Sequence, residues 1–185
     1  MATKNILLVG GCGFIGHNLA IHLKKLGHKP VIVDSLSVNN ILSFADNEVK
    51  NKKLYSAILQ NRIDILNKQA IQLIIQDARD YHAVSKIYND ISPDIIIHLA
   101  AVSHANKSNK DPHSTFDHSF RTLENTLDFA KNNKTHVIYL SSSMVYGNFD
   151  SRDVNELTPC KPIGIYGTLK YSGELLVKAY NQIFE

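Results

Sequence analysis

Three stretches of this chain have residue types that chemistry asks for. The first is Gly10-Gly11-Cys12-Gly13-Phe14-Ile15-Gly16, set between an apolar run, Ile6-Leu7-Leu8-Val9, and a helical pattern of Phe14, Ile15, Leu19, Leu23 and Leu26. A strand that enters a glycine turn and leaves as a helix gathers free backbone N–H groups and the positive end of the helix dipole at one point, which suits a diphosphate. Glycine serves there because a Cβ would block a left-handed backbone or hold the phosphate off the main chain. The spacing reads either as Gly11-x-Gly13-x-x-Gly16 or as Gly10-x-x-Gly13-x-x-Gly16. Val31-Ile32-Val33-Asp34 is a second apolar run, and its acid stands 18 residues after Gly16, about where a ribose-binding carboxylate is expected. Such a carboxylate accepts hydrogen bonds from both ribose hydroxyls of NAD and repels the extra phosphate of NADP.

The second stretch holds Tyr166 and Lys170, four apart at the start of a helical pattern and so on one face, a turn apart. An ammonium beside a phenol favours the phenolate and pulls its pKa from ~10 toward neutrality, which makes Tyr166 a usable general base. The third is Ser141-Ser142-Ser143, leaving an apolar run at the rim where a nicotinamide would lie. A hydroxyl there can donate to the substrate oxygen being oxidised. Each stretch also has an ordinary reading: a tight turn, an exposed helix pair, turn-forming serines. All three on one chain, behind a dinucleotide turn, favour chemistry.

The elements that must position these residues alternate. Strands are expected at Ile6–Val9, Pro30–Asp34, Ala70–Asp77, Pro93–Ala101 and His136–Ser141. The helix after the glycine turn ends near Gly27, with Pro30 beyond. Further helices are expected within Glu48–Gln69, at Tyr81–Asp90, at Ser114–Asn132 and at Ile165–Phe184. Glu48–Gln69 reads as one or two surface helices with charges in solvent, and Ser103–Pro112 as a polar loop. Alternating strands and helices predict an α/β fold, a doubly wound parallel (Rossmann) sheet of strand order 3-2-1-4-5. No linker or repeat divides the chain, so residues 1–185 read as a single NAD-binding domain.

Composition narrows the function classes. At 44% apolar and 20% charged residues with a net charge of +3, the chain is an ordinary globular one without a basic, aromatic-laced patch for nucleic acid. No run approaches the ~20 apolar residues of a membrane span, and the apolar stretch before the glycine turn is too short for a signal peptide. The cytoplasm is the default expectation. Cys12 and Cys160 match neither a disulfide framework nor a metal knuckle. His104, His113 and His118 stand in polar surroundings that favour no metal, and His104 is expected to touch substrate.

The motifs together resemble the extended short-chain dehydrogenase/reductases, specifically the NAD-dependent nucleotide-sugar epimerase/dehydratase group with its UDP-glucose 4-epimerase-like members. The matching pieces are the glycine turn, Val33-Asp34, Asp77-Ala78-Arg79-Asp80, His98-Leu99-Ala100-Ala101, Ser141-Ser142-Ser143-Met144-Val145-Tyr146-Gly147 and Tyr166-Gly167-Thr168-Leu169-Lys170, in the family's order. The resemblance implies that Gly10, Gly13 and Gly16, with the Phe14 and Ile15 amides, hold the NAD pyrophosphate. Asp34 would take the adenosine ribose, Asp77 with Ala78 would border the adenine, and Leu99, Ala100 and Ala101 would line the cofactor cleft. Tyr166 would be the base, Lys170 its tuning and ribose-binding partner, and Ser142 the catalytic hydroxyl, with Ser143 its alternative. Helices Ser114–Asn132 and Ile165–Phe184 would form a four-helix homodimer interface.

What is absent points to the reaction. Dehydrating and decarboxylating members place carboxylates where this chain has Ser143 and Met144. A 4-epimerase of a nucleotide sugar needs none: a base, a hydroxyl and NAD suffice to oxidise C4 and reduce it on its other face. Two departures stand out. A family Asn in the helix after the fourth strand is replaced here by Ser119 or His118. Members also continue well past the Tyr-Lys helix, so the resemblance implies a truncated chain that lacks the substrate-binding part, leaves its fifth strand an unpaired edge, holds cofactor weakly and turns over poorly. The competing functions are a nucleotide-sugar reductase, which would prefer NADPH, and a non-catalytic dinucleotide-binding or interaction module.

Overall fold

Five short runs rich in Ile, Val and Leu form one parallel sheet in the order β3-β2-β1-β4-β5, namely β1 (Asn5–Val9), β2 (Lys29–Asp34), β3 (Gln72–Ile75), β4 (Ile95–His98) and β5 (His136–Tyr139). The computed structural model describes residues 2–38, 41–44, 51–102, 105–149 and 153–184. The expected strand order is the observed one. Val9 ends level with Val33 on one side and His98 on the other, so the glycine turn, Asp34 and Leu99 all leave the sheet at one rim.

Alternate residues of the central strands feed two cores. Ile6, Leu8 and Ile32 face α1 (Phe14–Lys25) and α2 (Lys52–Lys68) through Ala20 and Leu66. Leu7, Val9, Val33 and Ile96 face α3 (Tyr81–Ile91) and α6 (Thr122–Asn133) through Val84, Tyr88 and Phe129. Burial on both faces is why β1 reads as an unbroken apolar run. Each fully buried Leu contributes roughly 1.5–3 kcal/mol, so the rim is anchored from beneath. The outermost strand β5 is an edge among the described residues, with Ile138 40% exposed.

The structure corrects the sequence reading in three places. Part of the expected loop at Ser103–Pro112 is helix: α4 (Ala105–Lys110) and α5 (Pro112–Phe116). α4 has no apolar period to betray it; its Ser108 is buried, and Asn109 accepts from the Ile165 N–H at 3.1 Å. The expected helix at Ser114–Asn132 is interrupted by a π turn, Asp117–Arg121, between α5 and α6. Within Glu48–Gln69 the structure has one helix, α2; of the apolar face that the spacing Leu54, Ile58, Leu59, Ile63 and Leu66 predicts, it buries Leu59 and Leu66, whereas Leu54 and Ile58 face outward. Residues 48–50 lie outside the described part, as does His104 with its expected substrate contact. The last helix is α7 (Gly164–Phe184), and a 3-10 turn at Ser143–Tyr146 leads from β5 toward it.

Candidate active site

The glycine turn shows a division of labour. Gly10 has φ +74°, and a Cβ on it would stand 2.6 Å from Ala100 Cα. A Cβ on Gly11 would stand 2.7 Å from Leu8 Cβ, and one on Gly16 would stand 2.5 Å from Gly11 Cα. The fold itself demands these three. A Cβ on Gly13 would meet only Gly10 O, at 3.7 Å. Gly13 is therefore not required by packing, and the space it leaves opens in front of α1. Gly13 is the N-cap of that helix and carries no capping side chain, and first-turn N–H groups such as those of Phe14 and Ile15 suit an anion.

A cleft of about 420 Å³ opens there, at the carboxyl ends of β1, β2 and β4. Gly10, Gly13, Phe14, Ile15 and Gly16 form one wall. Asp34 lines the end of β2, Asp77 and Ala78 follow β3, and Leu99, Ala100 and Ala101 follow β4. The cleft thus gathers into one place the residues expected to touch a dinucleotide, Tyr166 and Lys170 excepted.

Asp34 ties the turn to the sheet. Its Oδ2 accepts from Cys12 N at 2.9 Å and its Oδ1 from Leu36 N at 2.8 Å. Burial raises its pKa despite these two bonds, which favour the carboxylate. Asp77 is held differently. The Arg79 guanidinium grips both of its oxygens, at 3.0 Å from Nε and 2.6 Å from Nη2, and lowers its pKa. Asn125, buried on α6, donates to Ala78 O at 2.9 Å and fixes that loop.

The second group lies one strand further along, outside the lining of this cleft. Ser141 hydrogen-bonds to Glu174 on α7, and Ser142 Oγ accepts from Met144 N at 3.2 Å, capping the 3-10 turn. A Cβ on Gly167 would stand 2.6 Å from Met144 O, so this glycine lets α7 close on that turn; Tyr166, the residue before it, is half-buried. Lys170 is 5% exposed. Its Nζ donates to Leu140 O at 2.6 Å and sits 4.9 Å from the centre of the Tyr139 ring. Burial brings its pKa down to about 8. Beneath it, fully buried His98 lies 3.1 Å from Thr126 Oγ1, and burial, then the Lys170 charge, bring its pKa down to about 3.

Several side chains line the cleft that the sequence did not assign to it, among them Ser35, Val38, Arg62, Gln76 and Thr122. His118 and Thr122 reach it from the π turn and the start of α6, while Ser119 turns inward to accept from Val102 N at 3.1 Å. Of the two candidates for the replaced Asn, His118 is the one in the cleft. Arg62 reaches it from α2, whose charges were expected to lie in solvent. No spacing rule joins Arg62 to the glycine turn. Among the described residues no three His, Cys, Asp or Glu side chains gather as metal ligands.

Known proteins resemble this chain in sequence and fold. Residues 6–185 match the model of the NAD dependent epimerase/dehydratase family. The chain is 30% identical over 184 residues to probable UDP-arabinose 4-epimerase 3 of Arabidopsis thaliana, covering 97% of this chain and 41% of that one. It superposes at TM-score 0.79 and 27% identity on a UDP-glucose-4-epimerase from Stenotrophomonas maltophila with bound NAD and formylated UDP-arabinopyranose, over 95% of this chain and 48% of the other. It also superposes at TM-score 0.76 and 26% identity on a UDP-N-acetylglucosamine 4-epimerase from Methanobrevibacter ruminantium M1 in complex with UDP-N-acetylmuramic acid, over 100% of this chain and 52% of the other. This chain therefore spans about two-fifths to a half of the relatives it matches. On the family match over nearly its whole length, the chain belongs to the NAD dependent epimerase/dehydratase family.

Proposed function

We propose that this chain binds NAD and forms the cofactor and proton-transfer part of a nucleotide-sugar 4-epimerase acting on a UDP-linked sugar. One observation carries the reading: a single cleft joins the open space at Gly13, the uncapped start of α1 and the Asp34 carboxylate, with Lys170 buried behind the next strand end. The residues fit the cofactor. Backbone N–H groups at Phe14 and Ile15 would hold its diphosphate, and Gly10 and Gly16 shape the turn that aims them. Asp34 would accept from the adenosine ribose, Asp77 and Ala78 would border the adenine, and Leu99, Ala100 and Ala101 would floor the cleft. NAD, when bound, supplies a reversible hydride acceptor for the sugar C4.

The protein's own groups move the proton. Tyr166, at the first turn of α7, would take the 4-OH proton as base. Lys170, one turn on, would be its cationic partner and would also bond the nicotinamide ribose. Ser142 donates to the reacting oxygen. Ser143 and Met144 offer no carboxylate for elimination or decarboxylation, which leaves inversion at C4 as the reaction. Work in the cytoplasm as a homodimer belongs to the same proposal; exposed Leu175, Ile183 and Phe184 on α7 support the dimer. The test is to incubate the protein with NAD and a panel of UDP-sugars. Product inverted at C4, abolished by Tyr166→Phe while NAD still binds, supports the reading. NAD binding with no inversion by any panel member, from a protein extended to the relatives' length, rejects it.

A further inference from the structure

Arg62 is a cation that the fold brings to the cleft from a helix remote in sequence. It stands on α2 between Leu59 and Leu66, whose burial pins that helix to the sheet. The guanidinium lies 5.9 Å from the centre of the ring of Phe14, the first residue of α1. It lines the cleft with Asp34 and Ser35. Among the described residues it makes no ion pair, unlike Arg79 and Arg121.

The charges around it say what it is for. The titratable side chains lining the cleft are Asp34, Asp77, His118 and Arg62. Asp77 is already neutralised by Arg79, and burial holds His118 toward its uncharged form. A diphosphate entering this site would meet the Asp34 carboxylate and the dipolar amides of the turn. Arg62 is then the cation lining the cleft that can balance the ligand's charge. A guanidinium presents a planar fork matched to phosphate oxygens, and such charge-assisted bonds are the strong ones.

We propose that Arg62 is a binding residue for the dinucleotide's diphosphate, closing over it from α2 while the amides of α1 hold it from beneath. This rests on the NAD reading above. The full chain is titrated calorimetrically with NAD, ADP-ribose and NADP, and adenosine is measured by competition against ADP-ribose. Arg62→Met should weaken NAD and ADP-ribose binding about tenfold or more, leave adenosine unchanged, and lose its effect in high salt. Arg62→Lys should recover part of the loss. Three results overturn the proposal: unchanged affinities in Arg62→Met, an equal loss for adenosine, which would mean stacking on the base, or a loss confined to NADP, which would mean a 2′-phosphate site. If the unaltered chain binds none of these ligands, the NAD reading itself fails and this proposal falls with it.

Discussion

The cleft above β1 and β2 and the cluster behind β5 solve different problems. In the first, the main chain of the glycine turn forms a wall of the cleft, and there side chains matter by being absent: Gly10, Gly11 and Gly16 permit contacts that a single Cβ would forbid. In the second, side chains do the work, and the fold's task is to put charge where water is scarce, as with Lys170 at 5% exposure and His98 at 0%. A steric site is secured by packing and fails all at once. An electrostatic site is paid for in solvation and responds to pH.

The sharpest way to break that contrast is Gly16→Ala. Its Cβ would stand 2.5 Å from Gly11 Cα, backbone against backbone, so we expect a loss of roughly 3 kcal/mol or more, read as a collapsed urea midpoint. Gly13→Ala is the control within the same turn. Stability should change by about 1 kcal/mol or less, while NAD affinity falls because the methyl fills the diphosphate's place. If both variants lose stability equally, the division of labour among the glycines is wrong.

For the electrostatic site the largest effect should come from His98. Its folded pKa of about 3 lies below the ordinary 6.5, so the unfolded chain takes up the proton first. The stability it contributes is complete above about pH 6.5 and drains away as pH falls toward 3, by several kcal/mol in total. Unfolding midpoints measured across that range should fall less steeply in His98→Asn than in the unaltered chain.

Lys170 gives a smaller effect at the other end of the scale. Its folded pKa of about 8, below the ordinary 10.5, means that charged Lys170 is a burden below pH 8. Stability should rise by roughly 3 kcal/mol as pH climbs from about 8 to 10.5, and Lys170→Met should lack that rise. A variant that instead unfolds at neutral pH would show that the bond to Leu140 O and the seat on the Tyr139 ring outweigh desolvation. The smallest effect is expected at Asp34, whose carboxyl pKa is raised by burial. Asp34→Asn relieves the buried charge but turns an amide NH2 toward the N–H of Cys12 or Leu36, so the empty protein should lose about 1 kcal/mol or less at neutral pH and bind NAD more weakly in the same calorimeter.

Much of this was legible in the residues themselves. The apolar runs ending at Val9, Asp34 and His98 announced parallel strands because strands covered on both faces carry no polar alternation. Their order, 3-2-1-4-5, is the one expected of a doubly wound fold. The glycine turn was legible as a tight strand-to-helix turn, because a Cβ at Gly10, Gly11 or Gly16 would meet backbone or core atoms closer than contact allows. α4 was not legible, since Ala105-Asn106-Lys107-Ser108-Asn109-Lys110 has no apolar face and is held by its seat against α7. Nor was the π turn, which offsets the helical register by a residue and aims His118 at the cleft while Ser119 turns inward.

By itself the sequence determined the strands and the turn that ends the first of them, because those depend on local periodicity and on residue type. Only the tertiary structure decided which glycine is spare, how far Lys170 is desolvated, and that Arg62 comes to face the turn. Those depend on what lies across the interior from each residue, and distances across a core are set by the packing of elements far apart along the chain.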